Sequence, residues 1–141
     1  MAFIHLIYVS TANFKFDDAE LDEILESAVR HNTSQDITGM LLYSGGNFMQ
    51  ILEGEEAAIN ETYNRIVLDS RHSQVFLLER NTIEKRTFEK WKMGFRRLGQ
   101  AEMETHPAYS PFFEHGFNEK KMRPHPGIGM EMLIEFGLGQ R

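Results

Sequence analysis

Two polar side chains stand where their neighbours are apolar, and these are the first candidates for chemistry. Tyr8 lies within the most hydrophobic stretch of the chain. Gln50 lies between Phe48 and Leu52, on their face of a predicted strand. A buried amide without hydrogen-bond partners costs about 1 to 3 kcal/mol, so Gln50 is expected to meet another polar group. Tyr8 carries a phenol that can both donate and accept a hydrogen bond.

Three more residues belong with this pair. Asn32 stands at the end of a predicted helix, and Trp91 and Met93 share a face of a predicted strand. Taken singly, each residue has an ordinary structural explanation, such as a helix C-cap, a core side chain or a residue at a sheet edge. Only the set as a whole points to a binding site.

Other chemistries find little support in the composition. The chain has no cysteine, which excludes a thiol nucleophile, a thiolate zinc site and an iron-sulfur cluster. None of its 6 histidines is paired at the helical spacing that presents two metal ligands together, so we expect no metal site. The sequence contains no Gly-x-Ser-x-Gly elbow and no Walker-type or dinucleotide-binding glycine loop.

Length and charge restrict the class of protein and its partners. A chain of 141 residues with 41% hydrophobic residues can form one domain with its own core. The formal net charge of -6 argues against a nucleic-acid partner. The N-terminus has no basic segment before an apolar one, and no apolar run approaches the ~18 residues of a membrane span. We therefore expect a cytoplasmic protein without membrane association.

Hydrophobic periodicity predicts five strands and two long helices. The first strand, Phe3 to Ser10, is apolar at both parities apart from His5, which is typical of a central strand covered on both faces. One amphipathic helix ends near Asn32, and a second contains Ile59 to Val67. The remaining predicted elements are strands at Ile37 to Tyr43, Phe48 to Glu53, Val75 to Glu79 and Trp91 to Leu98, with a turn of helix at Thr87 to Glu89.

The order of these elements predicts the fold. The turn Ser44-Gly45-Gly46-Asn47 joins two of the strands in a tight hairpin. Right-handed crossovers in a βαββαββ order place both helices on one face of a five-stranded mixed sheet, which is a ferredoxin-like α+β arrangement. Residues 1–98 form this domain, and residues 99–141 form a C-terminal extension. Its apolar segment Ile128 to Leu138 is expected to pack on the sheet or on a partner subunit.

Five ordered segments join the candidate residues into one pattern. They are Leu6-Ile7-Tyr8-Val9-Ser10, Asn32 with Ile37-Thr38-Gly39-Met40-Leu41, Phe48-Met49-Gln50-Ile51-Leu52-Glu53-Gly54, Asp69-Ser70-Arg71-His72, and Arg86-Thr87-Phe88-x-x-Trp91-x-Met93. Together they resemble BLUF domains, the blue-light sensors that use FAD, over residues 2 to about 98.

The resemblance implies a flavin site. It places the isoalloxazine between the two helices, with Ile24 and Ile66 as walls, and it implies FAD, with FMN and riboflavin as alternatives. Asn32 suits flavin O4 and N3–H, because one carboxamide can satisfy a donor and an acceptor together. The resemblance also places His31, Asp69, Arg71 and Met93 beside the flavin. Ala28 departs from several relatives, which have a serine near the ring.

The resemblance further implies a photoreceptor rather than an enzyme. Tyr8 is expected to pass an electron to the excited flavin, and Gln50 is expected to end rotated or tautomerised, donating to flavin O4. Trp91 and Met93 would then carry the signal through strand five. The chain would act through a downstream signalling protein, and we expect a homo-oligomer.

Two functions from other classes remain as alternatives. A ferredoxin-like hydrolase of the acylphosphatase kind would need a backbone anion cradle and an arginine after the first strand, but Thr11 to Phe16 contains neither glycine nor arginine. A ligand-free interaction module offers no reason to bury Tyr8 and Gln50 at strand centres.

Overall fold

The computed structural model describes residues 2–13, 16–106, 109, 119–122, 124–125 and 127–138. Within them the strands are β1 (Phe3–Ala12), β2 (Thr38–Ser44), β3 (Asn47–Glu55), β4 (His72–Ile83) and β5 (Gly94–Arg97). They form one sheet in the order β4-β1-β3-β2-β5. The pair β2 and β5 is parallel and the other neighbours are antiparallel. The predicted ferredoxin-like α+β fold with a mixed five-stranded sheet is therefore confirmed.

The strand β1 lies in the interior of the sheet and is covered on both faces, as its sequence predicts. Ile4, Leu6 and Tyr8 belong to one hydrophobic cluster, while Ile7 and Val9 belong to a second cluster on the other face. Successive side chains of a strand point to opposite faces, so a strand covered on both sides is apolar at every position.

Two helices cover the face of Tyr8. The helix α1 (Asp18–Gln35) begins with a capping box, in which the Asp17 side chain accepts from Glu20 N–H at 2.8 Å. It ends at Asp36, whose left-handed backbone has a φ of 54°. The helix α2 is Glu56–Val67. The expected end of the first helix near Asn32 is wrong, because α1 continues for three more residues and Asn32 lies inside its last turn rather than at its C-cap.

The other face of the sheet is covered by the end of the chain. After α3 (Gln100–Thr105) and α4 (Glu119–Met122), α5 (Ile128–Leu133) runs into a π-helix at Ile134–Leu138. Met132 and Phe136, both fully buried, belong to the cluster of Ile7, Met49 and Ile51. In this structure, residues 128–138 thus lie on the second face of the sheet.

The segment before β5 differs from its prediction. The strand begins at Gly94 rather than Trp91, so Trp91 and Met93 precede it. Thr87 to Glu89 form no helix, and a single hydrogen-bonded turn closes from Phe88 O to Trp91 N at 3.0 Å. The physical reason is where the backbone hydrogen bonds go. The amides of Thr87 and Phe88 bind a side chain of β3, and Lys92 O accepts from Asn32 Nδ2 of α1 at 2.6 Å, so the ladder with β2 begins only at Gly94.

The strand β4 is longer than predicted because it pairs with β1 along most of its length, from His72 to Ile83. The predicted hairpin of β2 and β3 is present, with Gly45 and Gly46 at φ values of 56° and 83°.

Candidate functional site

A cleft of about 190 Å³ opens between α1 and α2 above the sheet. Its apolar lining consists of Ile24, Ala28, Leu41, Phe48, Leu52 and Ile66. The polar lining consists of Tyr8, Ser27, His31, Asn32, Gln50, Thr62, Arg65, Asp69, Arg71 and His72. Eight of the residues proposed from the sequence therefore lie around one cavity. They are Tyr8, Ile24, His31, Asn32, Gln50, Ile66, Asp69 and Arg71.

Tyr8 and Gln50 meet at the floor of this cleft. They are paired across β1 and β3, and both side chains are buried. The Tyr8 hydroxyl donates to Gln50 Oε1 in a short hydrogen bond. Burial raises the pKa of Tyr8 well above its ordinary value, and the neighbouring Tyr63 and Asp69 add to this effect. The phenol is therefore held in its neutral form, with its proton directed at the amide.

The other end of the Gln50 amide faces Met93. Gln50 Nε2 donates to Met93 Sδ at 3.3 Å, and Met93 is 7% exposed. A thioether sulfur is a weak acceptor, so this end of the amide is held less firmly than the end at Tyr8. One N–H of Gln50 also has no acceptor among the described residues.

Asn32 brings a second buried amide to the cleft. It is 2% exposed, and its Nδ2 donates to the backbone oxygen of Lys92 at 2.6 Å. Within the described part of the chain, Asn32 Oδ1 accepts no hydrogen bond. Because buried polar groups are almost always hydrogen-bonded, this free acceptor indicates a ligand that carries a donor.

One side of the cleft carries a histidine held between two partners. His31 Nδ1 accepts from Arg65 Nη1 at 2.7 Å, so Nε2 carries the proton and donates to Thr62 Oγ1 at 2.8 Å. Partial burial and the Arg65 guanidinium hold the pKa of His31 below its ordinary value. The imidazole is thus neutral and links α1 to α2.

The opposite side is built by the turn before β4. Asp69 accepts from the Arg71 guanidinium and from the Arg71 backbone N–H at 2.9 Å, and the side-chain hydrogen bond lowers the pKa of Asp69. His72 Nε2 donates to the Ile66 carbonyl at 2.5 Å, and Nδ1 accepts from Ser10 Oγ at 2.8 Å. Both partners fix the His72 ring beside Tyr8, with 6.3 Å between ring centroids.

Trp91 lies apart from this site. It does not line the cleft, and 45% of the residue is exposed. The expectation that Trp91 and Met93 share a face of a strand is wrong, because both precede β5 and only Met93 contacts Gln50.

Sequence reasoning missed Ser27, Thr62, Arg65 and His72. His72 ends one of the quoted sequence segments and could have been included, whereas the other three stand on helix faces that look like ordinary solvated surface.

The comparisons with known proteins agree with this geometry. The family described as "BLUF: Sensors of blue-light using FAD" matches residues 3–94. The chain belongs to the BLUF family. BLUF proteins are blue-light sensors that bind a flavin, and the family is defined by its use of FAD.

Individual BLUF relatives share about a third of the aligned residues. Photoactivated adenylate cyclase subunit beta of Euglena gracilis is 36% identical over 83 residues, which is 59% of this chain and 10% of that protein. The blue light- and temperature-regulated antirepressor BluF of Escherichia coli (strain K12) is 36% identical over 70 residues, which is 50% of this chain and 17% of that protein. The chain thus spans less than a fifth of either of these relatives. The ground state of BlsA superposes with a TM-score of 0.75 at 27% identity and covers 97% of this chain and 85% of that chain.

The chain's own groups fit the FAD that defines BLUF domains. The apolar walls suit a flat aromatic ring, and the free Oδ1 and second N–H of Asn32 match a donor and an acceptor on the flavin edge. The unused N–H of Gln50 matches a further flavin acceptor.

Two absences apply to the described residues alone. No His, Cys, Asp and Glu side chains among them form a group of three or more that could hold a metal ion. None of the helices they form has the length and apolar character needed to cross a membrane.

Proposed function

We propose that this BLUF chain is a blue-light photoreceptor in which Tyr8 and Gln50 convert excitation into a new hydrogen-bond pattern. The observation that carries the proposal is the buried chain of contacts from the Tyr8 hydroxyl through Gln50 to Met93. A phenol and an amide, buried together beside a cleft that suits an aromatic ring, have no comparable use in a hydrolase or an interaction module.

The residues around the cleft have different roles in binding. Ile24 and Ile66 would hold the ring from both sides, and Asn32 would bind its polar edge. His31, Asp69 and Arg71 shape the opening of the cleft. Bound FAD supplies the absorption of blue light and an electron acceptor, with FMN or riboflavin as alternatives. Residues 1–98 form this sensing unit and residues 99–141 form its extension.

Tyr8 is the electron and proton donor. With FAD bound and excited, Tyr8 would give up one electron to it, and the hydroxyl proton would leave along the hydrogen bond to Gln50 Oε1. Both return to Tyr8 when the charges recombine, so the phenol is not consumed. Because the bond between Tyr8 and Gln50 breaks transiently, the amide can settle in a second arrangement.

The lasting change resides in Gln50. A rotated or tautomerised amide would donate to the polar edge of the bound ring, and the absorption would move to longer wavelength. Rotation of the amide would also remove the hydrogen bond from Gln50 Nε2 to Met93 Sδ, so that Met93 would respond to the state of Gln50. This defines two discrete arrangements whose populations light can change.

Output passes to another protein rather than through a reaction on this chain. BLUF relatives include a photoactivated adenylate cyclase and an antirepressor. We infer by analogy that this chain signals to a downstream protein and forms a homo-oligomer. The segment 128–138 is the surface best placed to change, and we expect it to loosen or shift in the lit state.

An absorbance spectrum of the purified protein, recorded in the dark and again after blue light, tests the proposal. We expect a flavin spectrum that moves to longer wavelength and recovers in the dark. Chromatography of the flavin released by denaturation distinguishes FAD, FMN and riboflavin. A protein that takes up none of the three flavins would contradict the proposal and return the hydrolase and the interaction module to consideration.

A further inference from the structure

A fully buried carboxylate lies outside the cleft. Glu53 stands on β3 with 0% exposure, three residues after Gln50 and on the opposite face of the sheet. Its oxygens accept from Thr87 N at 2.7 Å, from Phe88 N at 2.9 Å and from Thr38 Oγ1 at 3.0 Å. A buried carboxylate is costly unless its oxygens are hydrogen-bonded, and here three donors converge on it.

The partners of Glu53 belong to two different parts of the chain. Thr38 is its direct neighbour on β2, and the Thr38 hydroxyl also accepts from Arg86 Nη1 at 3.2 Å. Thr87 and Phe88 contribute consecutive backbone N–H groups from the segment before β5. A carboxylate offers two acceptor oxygens to these three donors, whereas an amide would offer one oxygen and turn an N–H group towards them.

The segment 86–93, which we call the connector, reaches both faces of the sheet. Phe88 is fully buried in the cluster that contains Phe136, and a Cβ added to Gly137 would lie 3.2 Å from the Phe88 ring. Met93 lies in the cluster on the cleft side and contacts Gln50. The connector thus links the amide in the cleft to the C-terminal π-helix.

Further hydrogen bonds hold the connector near its second end. Trp91 O accepts from Gly39 N at 2.9 Å, and Lys92 O accepts from Asn32 Nδ2 at 2.6 Å. With Glu53 near one end and these bonds near the other, both ends of the connector are hydrogen-bonded to neighbouring elements. A segment held at both ends deforms less under a push than a free loop does.

We propose that Glu53 is a positioning residue that makes the connector stiff enough to carry a change at Gln50 and Met93 to Phe88 and the π-helix. This inference rests on the photoreceptor function proposed above. It assigns Glu53 no contact with the flavin and no part in the photochemistry. Its role is to hold the connector so that a light-driven change in the cleft is transmitted to the C-terminal π-helix.

The test uses Glu53→Gln, which keeps the side-chain shape but turns an N–H group towards donors. Glu79→Gln is the matched control, because Glu79 is a partly buried carboxylate of the same sheet whose partner is His5, away from the connector. Three quantities are measured in each protein, in the dark and after blue light. They are the flavin absorption, the emission of Trp91, which is the chain's single tryptophan, and amide hydrogen exchange in residues 128–138.

We expect Glu53→Gln to keep the flavin and its red shift, because Tyr8 and Gln50 are untouched. The light-induced changes in Trp91 emission and in exchange of residues 128–138 should fall below about half of the wild-type amplitude, since the carboxylate's donors lose their shared acceptor. Glu79→Gln should keep the wild-type amplitudes. A merely stabilising role for Glu53 would lower thermal stability while leaving those amplitudes intact.

Thr38→Val is the second test of the role of Glu53, for the case in which Glu53→Gln does not fold. It removes the Thr38 hydroxyl, which is one donor to the carboxylate, and leaves the Glu53 side chain unchanged. It should reduce the same two amplitudes while keeping the red shift. If Glu53→Gln folds and shows wild-type amplitudes, the proposal is overturned. If Glu53→Gln does not fold, wild-type amplitudes in Thr38→Val overturn it. A wild-type chain that shows no red shift would instead overturn the photoreceptor function itself.

Discussion

Tyr8 and Gln50 occupy directly opposed positions on β1 and β3, and the Tyr8 hydroxyl donates to Gln50 Oε1 on the cleft face of the sheet. Their separation is set by the pairing of two central strands and not by a loop. Side chains on strands are positioned more precisely than side chains on loops. The photochemical pair therefore depends on the register of the sheet.

Replacing Tyr8 by Phe tests the donor. The ring keeps its packing while the hydroxyl is removed, so the variant should still bind flavin but should lose the light-induced red shift. Difference spectra before and after blue light measure this directly. A Tyr8→Phe protein with the full red shift would rule out the role assigned to the phenol.

Replacing Gln50 by Ala tests the amide. The red shift should disappear, while most flavin affinity remains because the apolar walls and Asn32 are intact. The buried Tyr8 hydroxyl loses its acceptor, so the free energy of unfolding should fall by about 1 to 3 kcal/mol. Flavin titration, difference spectra and urea unfolding check the three expectations. Normal photoswitching in this variant would contradict the hydrogen-bond mechanism.

Met93→Leu and Trp91→Phe form a matched pair on the connector. Leucine keeps the volume of Met93 but removes the sulfur that accepts from Gln50 Nε2, so the dark flavin spectrum should move. Trp91 does not line the cleft, and its replacement should leave the dark spectrum unchanged. Equal displacement of the dark spectrum in both variants would mean that Trp91 also contacts the flavin environment.

The neutral His31 predicts a pH dependence. Its pKa in the folded protein lies below the unfolded value of about 6.5, so the unfolded chain binds a proton first as the pH falls. The free energy of unfolding should therefore decrease as the pH drops from about 6.5 towards the folded pKa. His31→Gln should lack this component. Melting curves of both proteins between pH 8 and about 5 measure the difference, and parallel curves would contradict the prediction.

The packing of the C-terminal segment can be measured with two side chains of the π-helix. Phe136 is fully buried and its replacement by Ala should cost about 3 to 5 kcal/mol of the free energy of unfolding. Ile134 is 41% exposed, and Ile134→Ala should change that free energy by less than about 0.5 kcal/mol. Urea unfolding of the two variants tests this ranking. Similar losses in both would mean that the segment does not pack on the sheet as described.

Whether the light-induced change reaches the C-terminal segment can be tested without mutation. Amide hydrogen exchange in residues 128–138 should increase after blue light, if this segment loosens when Gln50 releases Met93. Unchanged protection there, together with a normal red shift, would mean that the signal leaves by another surface. Recording the red shift and exchange on the same sample separates failure of sensing from failure of output.

Sequence patterns predicted the parts of the structure that depend on local alternation. The face shared by Phe48, Gln50 and Leu52 follows from the period of a strand, and it is the face that lines the cleft. The segment at Trp91 and Met93 could not be predicted in this way. Lys92 O in this segment accepts from Asn32 Nδ2, and no periodicity reveals a partner 60 residues away.

Asn32 shows a second limit of local reasoning. An asparagine near the end of an apolar repeat is typical of a helix C-cap. Here Asp36 takes the left-handed position and Asn32 serves the cleft and Lys92 instead. The sequence alone does not distinguish these roles, because the carbonyl that Asn32 binds belongs to a distant segment.

The alternation of β3 has a practical consequence for protein engineering. Along this strand the even-numbered positions 48, 50 and 52 line the cleft, whereas Met49 and Ile51 face the C-terminal segment and Glu53 faces the connector. A library built on even positions would vary the colour response, and one built on odd positions would vary how strongly that response reaches the rest of the protein. The two properties could then be selected in separate rounds and recombined, since adjacent residues of one strand serve different sides of the sheet.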